Sequence, residues 1–219
     1  MEGTNQIVNQ IYEYVRDQIL SETYLENERI SERLIGENFG VSRTIVREAF
    51  YELKKNGWLY AEGKSGTYIA PIDFEAVKEN YEARIHLEPW VLLQAYPNLT
   101  AEDFARMEEF CDAMEYKGDE QYIDAETALH SIIMKKTFNR YVKSLFDSMV
   151  EGMLRATSKS KSTSPRRQES ISEWRMIVAY LREKNPYMAS RILEKHVINS
   201  YHNFLKNNKN ETETRFLSD

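Results

Sequence analysis

Helical spacing of apolar positions dominates this chain, broken by one short region of strand-favouring residues. Ile7, Ile11, Val15 and Ile19 step by four and predict a first amphipathic helix over about residues 5–21. A second short helix is expected within Ile30–Gly40. Ser31 suits its N-cap, and Gly40 suits the left-handed residue that ends it. Ser42 can cap a third helix. At about 100° per residue, Val46, Ala49, Phe50 and Leu53 fall on one arc of it, and Arg43, Thr44, Arg47, Tyr51 and Lys54 on the other. Gly57–Glu62 and Thr67–Ala70 then read as strands around the Gly63–Gly66 turn. Helix, helix, helix, hairpin is a winged helix-turn-helix, expected over residues 1–72.

Past Pro71-Ile72-Asp73 the pattern is helical throughout. Asp73 caps a segment reaching Tyr96, which Pro89 is expected to kink or split. Thr100 opens the next helix, with acids in its first turn. Further helices are expected over about 120–136, from Asn139 to about 157, over about 169–184, and from Asn185-Pro186 onward. Ser158–Gln168 reads as a polar loop. The fold class is therefore mainly α: the winged head, then an all-helical bundle of about six or seven helices over 73–206, then a polar tail over 207–219.

The outer arc of the third helix carries the first candidate chemistry. Arginine presents a planar, permanently charged fork that suits phosphates and the guanine edge in the major groove. Lys64, at the tip of the wing, suits a phosphate or a minor groove. The alternative is an ordinary surface helix with solvated arginines. Composition enters here as an objection, because the 219-residue chain has a net charge of −6 and a pI near 5.4. Residues 40–72 nevertheless carry five lysines and arginines against three glutamates, and local charge governs phosphate contact. The single cysteine, Cys111, excludes an internal disulfide and reads as a small buried side chain. No apolar run reaches the ~20 residues of a membrane span, and no signal segment opens the chain. A cytoplasmic protein without membrane contact is expected.

Ser42-Arg43-Thr44-Ile45-Val46-Arg47-Glu48-Ala49-Phe50, with Gly57-Trp58-Leu59 and Gly66, resembles the N-terminal domain of GntR-type bacterial transcription regulators. Ile45 stands where proline is usual, and Phe50 where leucine is. Leu25–Arg29 takes the place of a customary Pro-Gly turn. The resemblance implies that Arg33, Ser42, Arg43, Thr44 and Arg47 meet double-stranded operator DNA, with Lys64 and Gly66 of the wing alongside. Residues 73–206 resemble the helical effector-binding and dimerisation domain of the FadR branch, the FCD domain. The strings that carry this are Arg84–Pro89, Leu129-His130 with Asn139, Glu173–Ile177 and Ala189–His196. It implies a homodimer on a near-palindromic operator, acting as a repressor under control of a small effector, commonly an organic acid.

Many members of that branch hold a divalent metal through an Asp, a His four residues later, a His in a Glu-His pair and a final His. The matching positions here are Glu126, His130, Trp174 and His196. An indole cannot ligate. Either Glu126, His130 and His196 hold zinc, nickel or manganese in a degenerate site, or the two histidines are hydrogen-bonded polar residues facing a pocket and Trp174 fills the ion's space. The missing ligand favours the second. Arg84 is either a carboxylate clamp for the effector or the partner of Glu88 one helical turn on. Tyr81, Tyr122 and Tyr141 could line a pocket or be plain core, and His86 and His202 have no recognisable partners. The rival to a regulator is a metal-dependent hydrolase using Glu126, His130 and His196. It leaves the winged head unexplained, and the chain lacks the usual nucleophile, phosphate-loop and zincin motifs. The expectation is therefore that this is no enzyme.

Overall fold

The computed structural model describes residues 2–63, 65–116, 118–159 and 164–208. The chain forms two compact units, the first Met1–Ile72 and the second starting at Asp73.

In the first unit α1 (Glu2–Leu20), α2 (Glu32–Phe39) and α3 (Arg43–Lys55) enclose one side of a core, and a three-stranded sheet closes it. Ile11 and Val15 of α1 are fully buried against α3, whose Val46, Ala49, Phe50 and Leu53 form its inner arc. Ser31 accepts a hydrogen bond from the Leu34 N–H, closing the first turn of α2. Gly40 ends α2 in the left-handed conformation (φ 64°), so the chain turns into α3 at once. Ser42 holds the N-cap backbone position of α3, but its hydroxyl makes no capping bond. The expected side-chain cap is thus absent, and the hydroxyl is left exposed.

The sheet has one strand beyond the expected hairpin. β1 (Arg29–Ile30) pairs antiparallel with β3 (Gly66–Ile69), which also pairs with β2 (Leu59–Glu62), giving the order β1-β3-β2. The stretch that replaces a Pro-Gly turn is thereby stitched to the wing. Gly66 has φ 138°, and a Cβ there would lie 2.8 Å from the Arg29 Nε. Gly66→Ala is expected to lower the stability of the head by about 1–3 kcal/mol. Denaturant titration checks this, and a change within about 0.5 kcal/mol would show that the strand relaxes freely. Lys64 lies outside the described residues.

The second unit contains, among the described residues, α4 (Phe74–Ala95), α5 (Ala101–Tyr116), α6 (Asp119–Lys135), α7 (Arg140–Lys159), α8 (Ser164–Arg182) and α9 (Pro186–Asn207), with a 3₁₀ turn at Tyr96–Asn98. Local chemistry sets most of the starts. Asp73 accepts from the Glu75 and Ala76 N–H groups, Asn139 from Tyr141 and Val142, and Asn185 from Met188. Thr100 and Asp103 cap each other reciprocally. α4 packs on α6, α7 and α9, and α8 packs on α5 and α9.

Two expectations fail here. Pro89 does not split α4, which runs unbroken to Ala95. One lost hydrogen bond is offset by burying Val91, Leu92 and Ala95 beyond it. Ser158–Gln168 is not one loop. α7 extends to Lys159 and α8 begins at Ser164, leaving 160–163 outside the described residues. Arg166, expected in that loop, is instead a buried helical residue.

Candidate functional site

The head presents a basic helix face on a fixed core. Anchored by its buried arc, α3 leaves Ser42, Arg43, Thr44, Arg47 and Tyr51 exposed and Lys54 half-buried. Arg43 and Arg47 lie one turn apart on one face. Arg47 Nε donates to Glu32 Oε2 of α2 at 2.9 Å, and Arg33 Nη1 to Glu37 Oε1 at 2.5 Å. Arg43 makes no ion pair among the described residues. Both pairs are solvent-exposed, with 64% of the Arg47 side chain accessible. Such pairs contribute about 0–1 kcal/mol, so a phosphate can displace either carboxylate. The intramolecular pairing therefore does not remove these arginines from a surface role.

The second candidate is a buried polar cluster between α4, α6, α8 and α9. Glu126, His130 and His196 come together as the spacing suggested, with one ligand atom from each within 4.8 Å of the others. Trp174 lies among them, its ring centroid 4.8 Å from that of His130 and 5.3 Å from that of His196. The network around them was not legible. Glu88 accepts from Arg84 Nε at 2.6 Å through Oε1 and from His130 Nδ1 at 2.5 Å through Oε2. Glu173 accepts from His196 Nδ1 at 2.9 Å, from Arg166 Nη2 at 2.7 Å and from Asn199 at 2.7 Å. Ser170 donates to Glu126 at 3.2 Å. Arg166, Ser170 and Glu173 had no signal beyond Glu173 standing next to Trp174.

Electrostatics follow the geometry. Burial pushes the Glu88 carboxyl up, but the Arg84 guanidinium and His130 outweigh it and hold the group at about 2. Glu173 is also at about 2, since its bonds to His196 and Arg166 outweigh burial. Burial lowers His130, favouring neutral imidazole. His130 Nδ1 lies against Glu88 and His196 Nδ1 against Glu173, the carboxylate–imidazole arrangement that also orients metal-binding histidines. The rest of the site does not fit a resident ion. Arg84 Nη2 lies 3.3 Å from His130 Nε2, and Trp174 closes the fourth side with a donor-only ring. Among the described residues, the buried His196 Nε2 and Trp174 Nε1 have no hydrogen-bond partner.

A small cavity adjoins the cluster, lined by Tyr81, Tyr122, Glu126, Arg166 and Ser200 among others. Two of the three tyrosines considered are there, whereas Tyr141 stands 72% exposed away from it. Arg84 is 3% exposed and committed to Glu88 and His130, so its clamp reading gives way to the pairing reading. The cavity's guanidinium is Arg166. His86 and His202 are exposed, and Cys111 is buried, its thiol pushed up to about 11 chiefly by desolvation.

Comparison with known proteins identifies the family of each part of the chain. Residues 7–69 match the family described as bacterial regulatory proteins, gntR family, and residues 79–199 match the FCD domain. The chain is 28% identical over 188 residues to the HTH-type transcriptional regulator YdhC of Bacillus subtilis, covering 83% of this chain and 84% of that one. It is 25% identical over 134 residues to the HTH-type transcriptional repressor RspR of Escherichia coli, 59% of each chain. Escherichia coli McbR/YncC has the same fold, with a TM-score of 0.76 at 19% identity over 91% of this chain and 97% of that one. Relatives and fold are those of regulators, which removes the hydrolase reading. The chain belongs to the gntR family of bacterial regulatory proteins and carries an FCD domain, which makes it a DNA-binding transcription regulator and not an enzyme.

Proposed function

We propose that the protein is a repressor that binds a near-palindromic operator as a homodimer and changes affinity when a small organic acid enters the second unit. The observation that carries the DNA reading is the exposed Arg43–Arg47 face, set on a fully buried arc beside a three-stranded wing. Thr44 and Ser42 share that edge, and Arg33 extends it onto α2. Repression is supported by the resemblance to RspR. Dimerisation is supported by Phe138, just before α7, and by Tyr141 and Leu145 in its first turns, large apolar groups that stay exposed. The effector reading rests on the Arg166 guanidinium at the cavity wall, where it can take a carboxylate in a fork. Ligand there would engage Tyr81 and Tyr122 on α4 and α6 together with α8 and α9, so four helices could respond to it. Among the described residues no helix is long and apolar enough to cross a membrane, in keeping with work on cytoplasmic DNA.

Affinity for the operator is expected to fall with salt, with a modest slope set by the few phosphates that Arg33, Arg43 and Arg47 reach. Arg33→Ala should reduce that slope by about one. A slope near zero in the parent protein would exclude phosphate contact. The effector part is tested by thermal shift with organic acids against both the parent protein and Arg166→Gln. A shift in the parent protein that disappears in the variant is expected. An equal shift in both would place the ligand elsewhere.

A further inference from the structure

The sheet of the head sorts its residues onto two faces. Ile30, Ile69 and Leu59 turn to the core and are buried. On the outer face Arg29, Tyr68 and Tyr60 stand opposite one another in a row across the three strands. The two tyrosine rings stack with centroids 5.5 Å apart, and the Tyr60 hydroxyl donates to Asn27 Oδ1 at 3.2 Å. Arg29 is exposed at the β1 end of this row, and its side chain crosses Gly66. A Cβ on Gly66 would lie 2.8 Å from the Arg29 Nε, 3.3 Å from Nη2 and 3.4 Å from Cζ. The guanidinium therefore rests on the bare backbone at the start of β3, a place that glycine leaves open. Among the described residues it makes no hydrogen bond or ion pair, so its donors stay unspent on protein. Glu62, paired with Gly66 on β2, instead receives the Ser65 hydroxyl at 3.4 Å.

We propose that Arg29 is a phosphate contact of the head, holding the DNA backbone between the α3 face and the wing. The inference rests on α3 being the helix that enters the groove. An arginine that only braced the wing would spend its fork on a carboxylate or a carbonyl. This one is held by contact with Gly66 alone and keeps the fork, which matches two phosphate oxygens. Its place in the chain fits the role. β1 runs directly into Ser31 and α2, whose Glu32 receives Arg47 from α3. Along its length β1 pairs with β3, which begins at Gly66. Arg29 thus joins the edge of the reading face to the wing. It lies on the sheet, outside the helix that meets base edges, so it contributes register and affinity without sequence preference.

The test is the salt dependence of DNA binding by the full-length protein. Anisotropy is measured on a duplex that the protein selects from genomic fragments and on a scrambled duplex of equal length. Arg29→Gln is expected to reduce the salt slope by about one on both duplexes. Near 0.1 M salt its affinity should fall on the order of 3- to 10-fold, by the same factor on each, so that selectivity is kept. Arg29→Lys, which retains a point charge, should keep the parent slope. A parent-like slope in Arg29→Gln would overturn the proposal. A loss confined to the selected duplex would overturn it too, since Arg29 would then read sequence. So would an equal loss of slope in Arg29→Lys, which would mean that the wing had lost its shape and not a charge. Parent-like binding by Arg43→Ala/Arg47→Ala would be a separate failure, overturning the α3 reading and this one with it.

Discussion

Replacing Arg43 and Arg47 together by alanine is expected to weaken specific DNA binding by roughly 2–6 kcal/mol while leaving the head folded. Each arginine that reads a base edge contributes about 1–3 kcal/mol. The side chains project from α3 on the side away from Val46, Ala49, Phe50 and Leu53, so truncating them leaves the core intact. Truncation does break the exposed Arg47–Glu32 ion pair, worth less than about 1 kcal/mol. A large binding loss should thus accompany almost no change in unfolding. Anisotropy titrations at fixed salt, beside denaturant titrations of the same samples, separate the two. Parent-like affinity in the double variant would show that the reading face lies elsewhere.

Glu88→Ala should be the most damaging single change in the second unit, costing about 3–5 kcal/mol. Glu88 is 1% exposed and is the shared acceptor of Arg84 and His130. Removing it strands the Arg84 cation beside a neutral imidazole without the carboxylate that holds both. Replacement of the whole buried set by apolar groups would be milder, because the penalty comes from leaving one partner behind. The pH dependence follows from the same groups. Glu88 and Glu173 are held at about 2, below the ordinary 4.5, so their stabilisation is present above about 4.5 and is lost as pH falls toward 2. His130 is lowered by burial, so protonation of the unfolded chain costs stability as pH falls below about 6.5. Acid unfolding of the parent protein should therefore begin below neutrality and steepen under pH 4.5. In Glu88→Ala the lower part of that slope should shrink, leaving the Glu173 share. An unchanged profile would mean that Glu88 binds protons alike in the folded and unfolded states, contrary to its lowered position.

What the sequence disclosed follows interaction range. The caps at Ser31, Asp73, Asn139 and Asn185 are settled within three residues, and the wheel of α3 within four turns. Glu126 and His130 share a helix face, so their meeting was legible. Arg29–Ile30 was not legible as a strand, since two residues show no alternation and exist as β1 only by pairing with Tyr68 and Thr67. The start of α8 was hidden for a similar reason. Its Ser/Arg-rich run looks like a loop until Arg166 finds Glu173 on its own helix and Ser200 on α9. Glu88 reaches His130 across 42 residues, a contact that no local pattern encodes. Trp174 was visible as a departure from the family pattern, but that Arg84 faces His130 depended on how α4 packs against α6.

Reading of DNA by sequence is the property of the head on which the rest depends. Selection from fragmented genomic DNA with the purified full-length protein, repeated with Arg43→Ala/Arg47→Ala, tests it most directly. The expected result is strong enrichment of a two-fold-related sequence that disappears with the double variant. Enrichment that is absent, or equal for both proteins, would contradict it.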